Sequence, residues 1–175
     1  MIESTATRLS VLIDRYSQDK NVGLPVLRFA LIGLLTNGIT IMLCLLIGII
    51  TDRFTDTLTA LVAMAVMRML AGGYHIPSPE WCVLVSTAII VIVPYIPFDS
   101  TLIYFSSIFS ILLIGYFAPA DLRGKTRISE RSLRVMKVAA ILAVVGNMLI
   151  LSEVVAISFL IATFTLISIK RVVRK

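Results

Sequence analysis

Phe29-Ala-Leu-Ile-Gly-Leu-Leu-Thr-Asn-Gly-Ile-Thr-Ile-Met-Leu-Cys-Leu-Leu-Ile-Gly-Ile-Ile50 is a run of 22 residues without a charged side chain. As an α-helix rising about 1.5 Å per residue it reaches about 33 Å, enough to cross a hydrocarbon core of about 30 Å. The run is not an isolated anchor. The chain as a whole is 58% hydrophobic, with 15% charged residues and a mean hydropathy of +1.00. A water-soluble domain of 175 residues could not hide that much apolar surface. The solvent for most of the chain is therefore lipid. Because the apolar residues are spread along the whole length, a cleavable leader followed by a soluble domain is excluded.

Outward from this run, further apolar segments occupy residues 57–71, 81–98, 100–120, 138–151 and 154–169. The second is short for a span and carries Arg68 one turn before its end. The third is expected to kink at Pro94. The expectation is an all-α polytopic membrane protein of about six transmembrane helices, forming one domain over residues 1–175. Within it, residues 1–24 are an amphipathic segment, 29–169 the transmembrane bundle and 170–175 a basic tail. In the first segment Leu9, Leu12, Ile13 and Tyr16 recur at helical spacing among Arg8, Asp14, Arg15, Asp19 and Lys20. That pattern suits a helix lying in the membrane interface.

Six spans put both termini on one side. The same side then collects every basic residue except Arg53, including six cations in a loop at 121–137. By the positive-inside rule the termini, the 72–80 loop and the 121–137 loop are expected to be cytoplasmic. The net charge of +6 is thus orientation chemistry and anionic-lipid contact, not a nucleic-acid surface. Two distant cysteines, Cys44 and Cys82, make no disulfide framework, and with a single histidine no protein-only metal site is expected.

The exception to this scaffold is Arg68-Met-Leu-Ala-Gly-Gly-Tyr-His75, followed after six intervening residues by Cys82. Gly72 and Gly73 stop the second helix. Ser78-Pro79-Glu80-Trp81 reads as a helix start, with serine as N-cap, proline at the first position and an acid in the first turn. Cys82 falls about one turn into that helix, where free N–H groups and the helix dipole favour a thiolate. The sole histidine lies on a loop short enough to fold back over it. Two readings fit this spacing: a nucleophile–base pair, or an interfacial histidine and a small apolar cysteine. Arg68 likewise suits either snorkelling to the interface or pairing with a substrate carboxylate. Cys44, deep in an apolar run without a base, reads as structural.

The Arg68–Cys82 stretch resembles the signature of the accessory gene regulator B family, membrane-embedded cysteine endopeptidases of bacterial peptide quorum sensing. Tyr116-Phe117-Ala118-Pro119-Ala120-Asp121, before a basic segment, is similar to the family's Ala-Pro-Ala-Asp region. The likeness extends over essentially the whole chain. After Asp121 the sequence reads Leu-Arg-Gly-Lys-Thr-Arg, where many members continue with threonine, glutamate and asparagine; the difference bears on the substrate group. The resemblance implies that Cys82 is the nucleophile and His75 the general base. Asp121 is then a candidate orienter of the imidazole, and Arg68, Gly73, Tyr74 and Glu80 are candidate substrate contacts. It implies an AgrD-like propeptide as partner, with cleavage before an acidic tail and closure of a thiolactone or lactone ring. No cofactor is required. The lipid bilayer is the other partner, and a homodimer is compatible with so small a domain. The competing expectation is a membrane protein that binds or transports a peptide without cutting it.

Overall fold

Gly23 and Pro25 open the first long helix: proline has no backbone N–H to leave unpaired in the first turn, and its fixed φ is already helical. From there α2 runs Leu24–Ile50 and follows an amino-terminal helix, α1, Ile2–Tyr16. The chain continues as α3, Phe54–Ala71; α4, Pro79–Ile92, extended by a 3₁₀ turn at Val93–Tyr95; α5, Ser100–Phe117; α6, Glu130–Ile150; and α7, Glu153–Ile167. The computed structural model describes residues 1–16, 23–73, 76–118 and 129–167. Among them there is no strand.

The protein is an all-helical integral membrane protein. Four helices, α2, α3, α5 and α6, are long and apolar enough to cross a bilayer. The other two expected spans are shorter apolar helices. At Pro94 the α-helix gives way to the 3₁₀ turn, since proline cannot donate to the helical ladder. From Pro79 to Tyr95 this element is about 27 Å long, close to the thickness of the hydrocarbon core.

Lipid supplies no hydrophobic force between helices, so close packing and hydrogen bonds hold the bundle together. The residues that each helix buries reflect this. On α2 they are Thr40, Cys44 and Gly48, four apart on one stripe. A Cβ on Gly48 would stand 3.1 Å from the Thr57 Cβ and 3.4 Å from the Phe54 backbone, so glycine is what lets α2 and α3 meet. On α5 the stripe includes Ser106, Ser107 and Ser110. The Thr163 hydroxyl of α7 lies 3.3 Å from that of Ser110, while it donates to its own helix at Leu160 O. Helix α7 is buried on all sides around residues 156–159, as a central helix must be, and packs on both α3 and α5. One apolar core joins Met67 and Ala71 of α3, Ile114 and Ala118 at the end of α5, Ala140 and Val144 of α6, and Phe159 and Leu166 of α7. A second gathers Cys44, Ala60, Met64, Ile90, Val93 and Ile157.

One sequence expectation changes. The 121–137 stretch is not all loop: α6 begins at Glu130, capped by the Ser129 hydroxyl, which accepts from Ser132 N. Arg131, Arg134 and Lys137 are therefore helical. Lys137 Nζ donates to the carbonyl of Gly115, among the last carbonyls of α5 that have no helical donor. In α1 the buried positions are Ala6 and Ser10, small enough for α1 to lie on the bundle, whereas Leu9, Leu12, Ile13 and Tyr16 stay exposed. That leaves the apolar face available to lipid. Residues 17–22, including Asp19 and Lys20, and the basic tail lie outside the described residues.

The contacts place the carboxyl ends of α3, α5 and α7 at one end of the bundle, together with the amino ends of α4 and α6. At the other end, between α2 and α3, Asp52 takes a left-handed conformation (φ 55°). Arg53 there pairs with Asp56 at 3.4 Å and lies over the Tyr95 ring.

Candidate functional site: the α3–α4 junction

Helix α3 ends where its sequence says it should. Gly72 caps it at φ 82°, ψ −161°, a conformation that a side chain strongly disfavours, and its N–H returns to Arg68 O at 3.1 Å. The next residue, Gly73, is buried. A Cβ there would stand 2.9 Å from Thr165 Oγ1 and 3.8 Å from Arg68 Nε. The second glycine is thus needed for space: it lets the chain leave α3 pressed against α7. Thr165 cannot simply swing away, because its hydroxyl donates to Ala162 O at 2.6 Å. Arg68 is half-buried with its Nε sealed from solvent. Its guanidinium stem runs beside Gly73 instead of extending freely along the membrane edge.

Tyr74 and His75 lie outside the described residues, as does Asp121. The chain returns at Ile76 and enters α4 through Ser78, whose extended backbone (φ −87°, ψ 120°) and carbonyl, accepting Cys82 N at 3.0 Å, fit the N-cap position. The serine hydroxyl does not cap. It donates instead to the first-turn carboxylate, at Glu80 Oε2, at 3.2 Å. Pro79 is buried and Trp81 exposed.

Cys82 closes the first turn of α4 with a free thiol at 7% exposure, covered yet near the surface of the helix start. Cys44 is also a free thiol but is wholly enclosed in the second core, among Ala60, Met64 and Ile90. Their settings differ as the sequence suggested: one lies at a helix start beside a break in the scaffold, the other between packed helices.

Glu80 is more engaged than its position implied. Its Oε1 accepts from the amino group of Met1 at 2.7 Å and from Ile2 N at 3.1 Å. The Met1 amino group first, then backbone N–H groups of Glu80 and Ile2, hold its carboxyl well below the usual range, at about 2. Neither this tie nor the part played by Thr165 was visible in the sequence. Each joins residues far apart in the chain, and no local pattern marks either one.

Arg68 and Gly73 thus stand together at the end of α3, and Glu80 and Cys82 share the first turn of α4.

The fold and this junction define a class: a small helical membrane protein with a glycine-broken helix pair and a covered thiol at the start of the second helix. The sequence profile of the accessory gene regulator B family matches residues 6–170. The chain belongs to that family. Membership gives it a role in the quorum-sensing peptide processing of the accessory gene regulator system. Comparison with curated proteins and with solved structures gave no match.

Proposed function

We propose that the protein is a membrane cysteine endopeptidase that cuts a quorum-sensing propeptide before its acidic carboxyl-terminal tail and hands the signal segment on as a thioester. The observation that carries this reading is the setting of Cys82. It is a covered free thiol in the first turn of α4, seven residues after the sole histidine, in a chain of this family.

In the proposed reaction His75 takes the proton of the Cys82 thiol, and the sulfur attacks the carbonyl carbon at the junction of signal segment and tail. Stabilisation of the oxyanion is assigned to backbone N–H groups near the start of α4 other than those of Glu80 and Cys82, which serve the Glu80 carboxylate and Ser78 O. The C–N bond breaks as the imidazolium protonates the leaving amine, and the tail departs. A thiol or hydroxyl of the signal segment then attacks the thioester. Its ring closes as that group's proton passes to His75, and the C–S bond breaks to release Cys82 as a thiolate beside the imidazolium. Exchange between thioesters is nearly neutral in energy, so a site that limits water favours the ring over hydrolysis. The roles proposed for the remaining residues are orientation of His75 by Asp121 and substrate contact by Arg68, Gly73 and Tyr74. Arg68 would meet a carboxylate of the substrate. The catalytic junction and both termini are proposed to face the cytoplasm.

The test is processing by the purified protein in lipid vesicles, using a propeptide with an amphipathic leader and an acidic tail. Release of the tail is expected from wild type and Cys44→Ala and is lost in Cys82→Ala and His75→Ala. Tail release by Cys82→Ala would rule the proposal out.

A further inference from the structure

Two helix starts converge on one carboxylate. Helix α4 carries Glu80 in its first turn, and α1 points its first two backbone nitrogens at the same side chain, at 2.7 and 3.1 Å. The first N–H groups of any helix have no partner within it, and a carboxylate satisfies them with charge-assisted bonds while meeting the positive end of the dipole. Ser78 takes the second carboxylate oxygen at 3.2 Å. Both oxygens thus accept from donors within the protein.

The rest of α1 packs on α2. Ala6 and Ser10 are its buried residues, and an exposed pair, Arg28 with Glu3 at 3.4 Å, ties it to α2. Exposed ion pairs contribute little, and the Met1–Glu80 pair is exposed as well; what sets the Glu80 tie apart is that one carboxylate oxygen takes both Met1 N and Ile2 N. The Glu80 tie is what fixes the end of α1 nearest the junction, and Cys82 is two residues further along the same helical turn.

We infer that Glu80 is a positioning residue: it docks the amino-terminal helix α1 onto the first turn of α4, so that α1 becomes part of the framework fixing the Cys82 thiol. The inference rests on the reading of Cys82 as nucleophile. It assigns α1 a task beyond lying on the membrane, because a helix whose apolar side meets lipid is fastened by its other end to the turn that carries the thiol.

The experiment uses the full chain in lipid nanodiscs with a Cys44→Ala background, comparing Glu80, Glu80→Gln and Glu80→Ala. Hydrogen exchange reads α1, iodoacetamide alkylation reads the Cys82 thiol, and propeptide turnover reads the proposed reaction. In Glu80→Ala the amides of residues 2–8 are expected to exchange about tenfold faster, a loss of one or two hydrogen bonds to a charged group. Alkylation of Cys82 should shift about threefold or more, and kcat should fall with KM little changed. Glu80→Gln keeps an acceptor oxygen and should lie between Glu80→Ala and wild type on every readout. Unchanged exchange in Glu80→Ala overturns the inference, as does a loosened α1 with wild-type alkylation. Should Glu80→Ala fail to insert, Glu80→Gln is read by the same two criteria, and no shift in either overturns it. If exchange and alkylation respond while wild type itself processes no propeptide, the docking role stands and the endopeptidase reading falls.

Discussion

Replacing Gly73 by alanine places a methyl carbon 2.9 Å from Thr165 Oγ1, about half an ångström inside ordinary contact. Neither side can give easily. Thr165 is pinned by its 2.6 Å bond to Ala162 O, and on the other side the loop is anchored to α3 by the Gly72 N–H on Arg68 O. Overpacking of this kind costs about 1–3 kcal/mol. The matching change, Thr165→Ala, removes the obstructing hydroxyl and one helical back-bond, which costs little because such bonds add little to a helix. The two substitutions should therefore couple. In a double-mutant cycle the second change recovers about 1–2 kcal/mol of what the first lost, whatever else alanine does to the backbone of Gly73. The assay is unfolding in mixed micelles for the four proteins, with propeptide turnover measured alongside. Turnover should fall in Gly73→Ala and return in part in the double variant, since the loop that leaves Gly73 leads directly to His75. Strict additivity in both measurements would refute the argument that α7 shapes this loop.

Three further outcomes follow from particular contacts. Gly48→Ala forces its methyl within 3.1 Å of the Thr57 Cβ, so the α2–α3 pair should lose about 1–3 kcal/mol in the same unfolding assay, with kcat per folded molecule unchanged. The Glu80 carboxyl lies at about 2, below its ordinary 4.5, so the tie to α1 is at full strength above pH 4.5 and is lost as pH falls toward 2; the protection factors of residues 2–8, exchange corrected for its intrinsic pH dependence, should fall over that window in wild type and be flat in Glu80→Ala. Lys137→Met removes the donor to the Gly115 carbonyl and should cost about 1 kcal/mol or less in unfolding, whereas Lys137→Glu should cost more by setting like charge against a helix carboxyl end.

Much of the fold was legible because lipid leaves so few solutions. An uncharged run such as residues 29–50 has to be a helix, and the Gly72–Gly73 pair has to end one. The α4 start was legible too, from Ser78, Pro79 and Glu80. The error at 121–137 came from weighing charge over capping. Ser129, with Glu130 in the first turn, carries a helix-start signal, but the density of arginines and lysines read as loop. What could not be read were the non-local contacts. Thr165 looks like one more hydroxyl in an apolar run until Gly73 is seen against it. Glu80 has a local use as a first-turn acid, and only the fold shows that α1 begins against it. The same limit applies to α1, where the spacing of Leu9, Leu12 and Ile13 gave the helix but not which side of it the bundle would claim.

The most direct test of the central claim is the mass of the protein itself during turnover. Wild type in vesicles is mixed with an acidic-tailed propeptide whose ring-closing residue is replaced by alanine, so that the acyl group cannot move on. After a rapid acid quench, the chain should gain the mass of the leader and signal segment, less the tail, and fragmentation should place it on Cys82. His75→Ala should show far less adduct and Cys82→Ala none. Tail release with no adduct on Cys82, or an adduct on Cys44, would contradict the account.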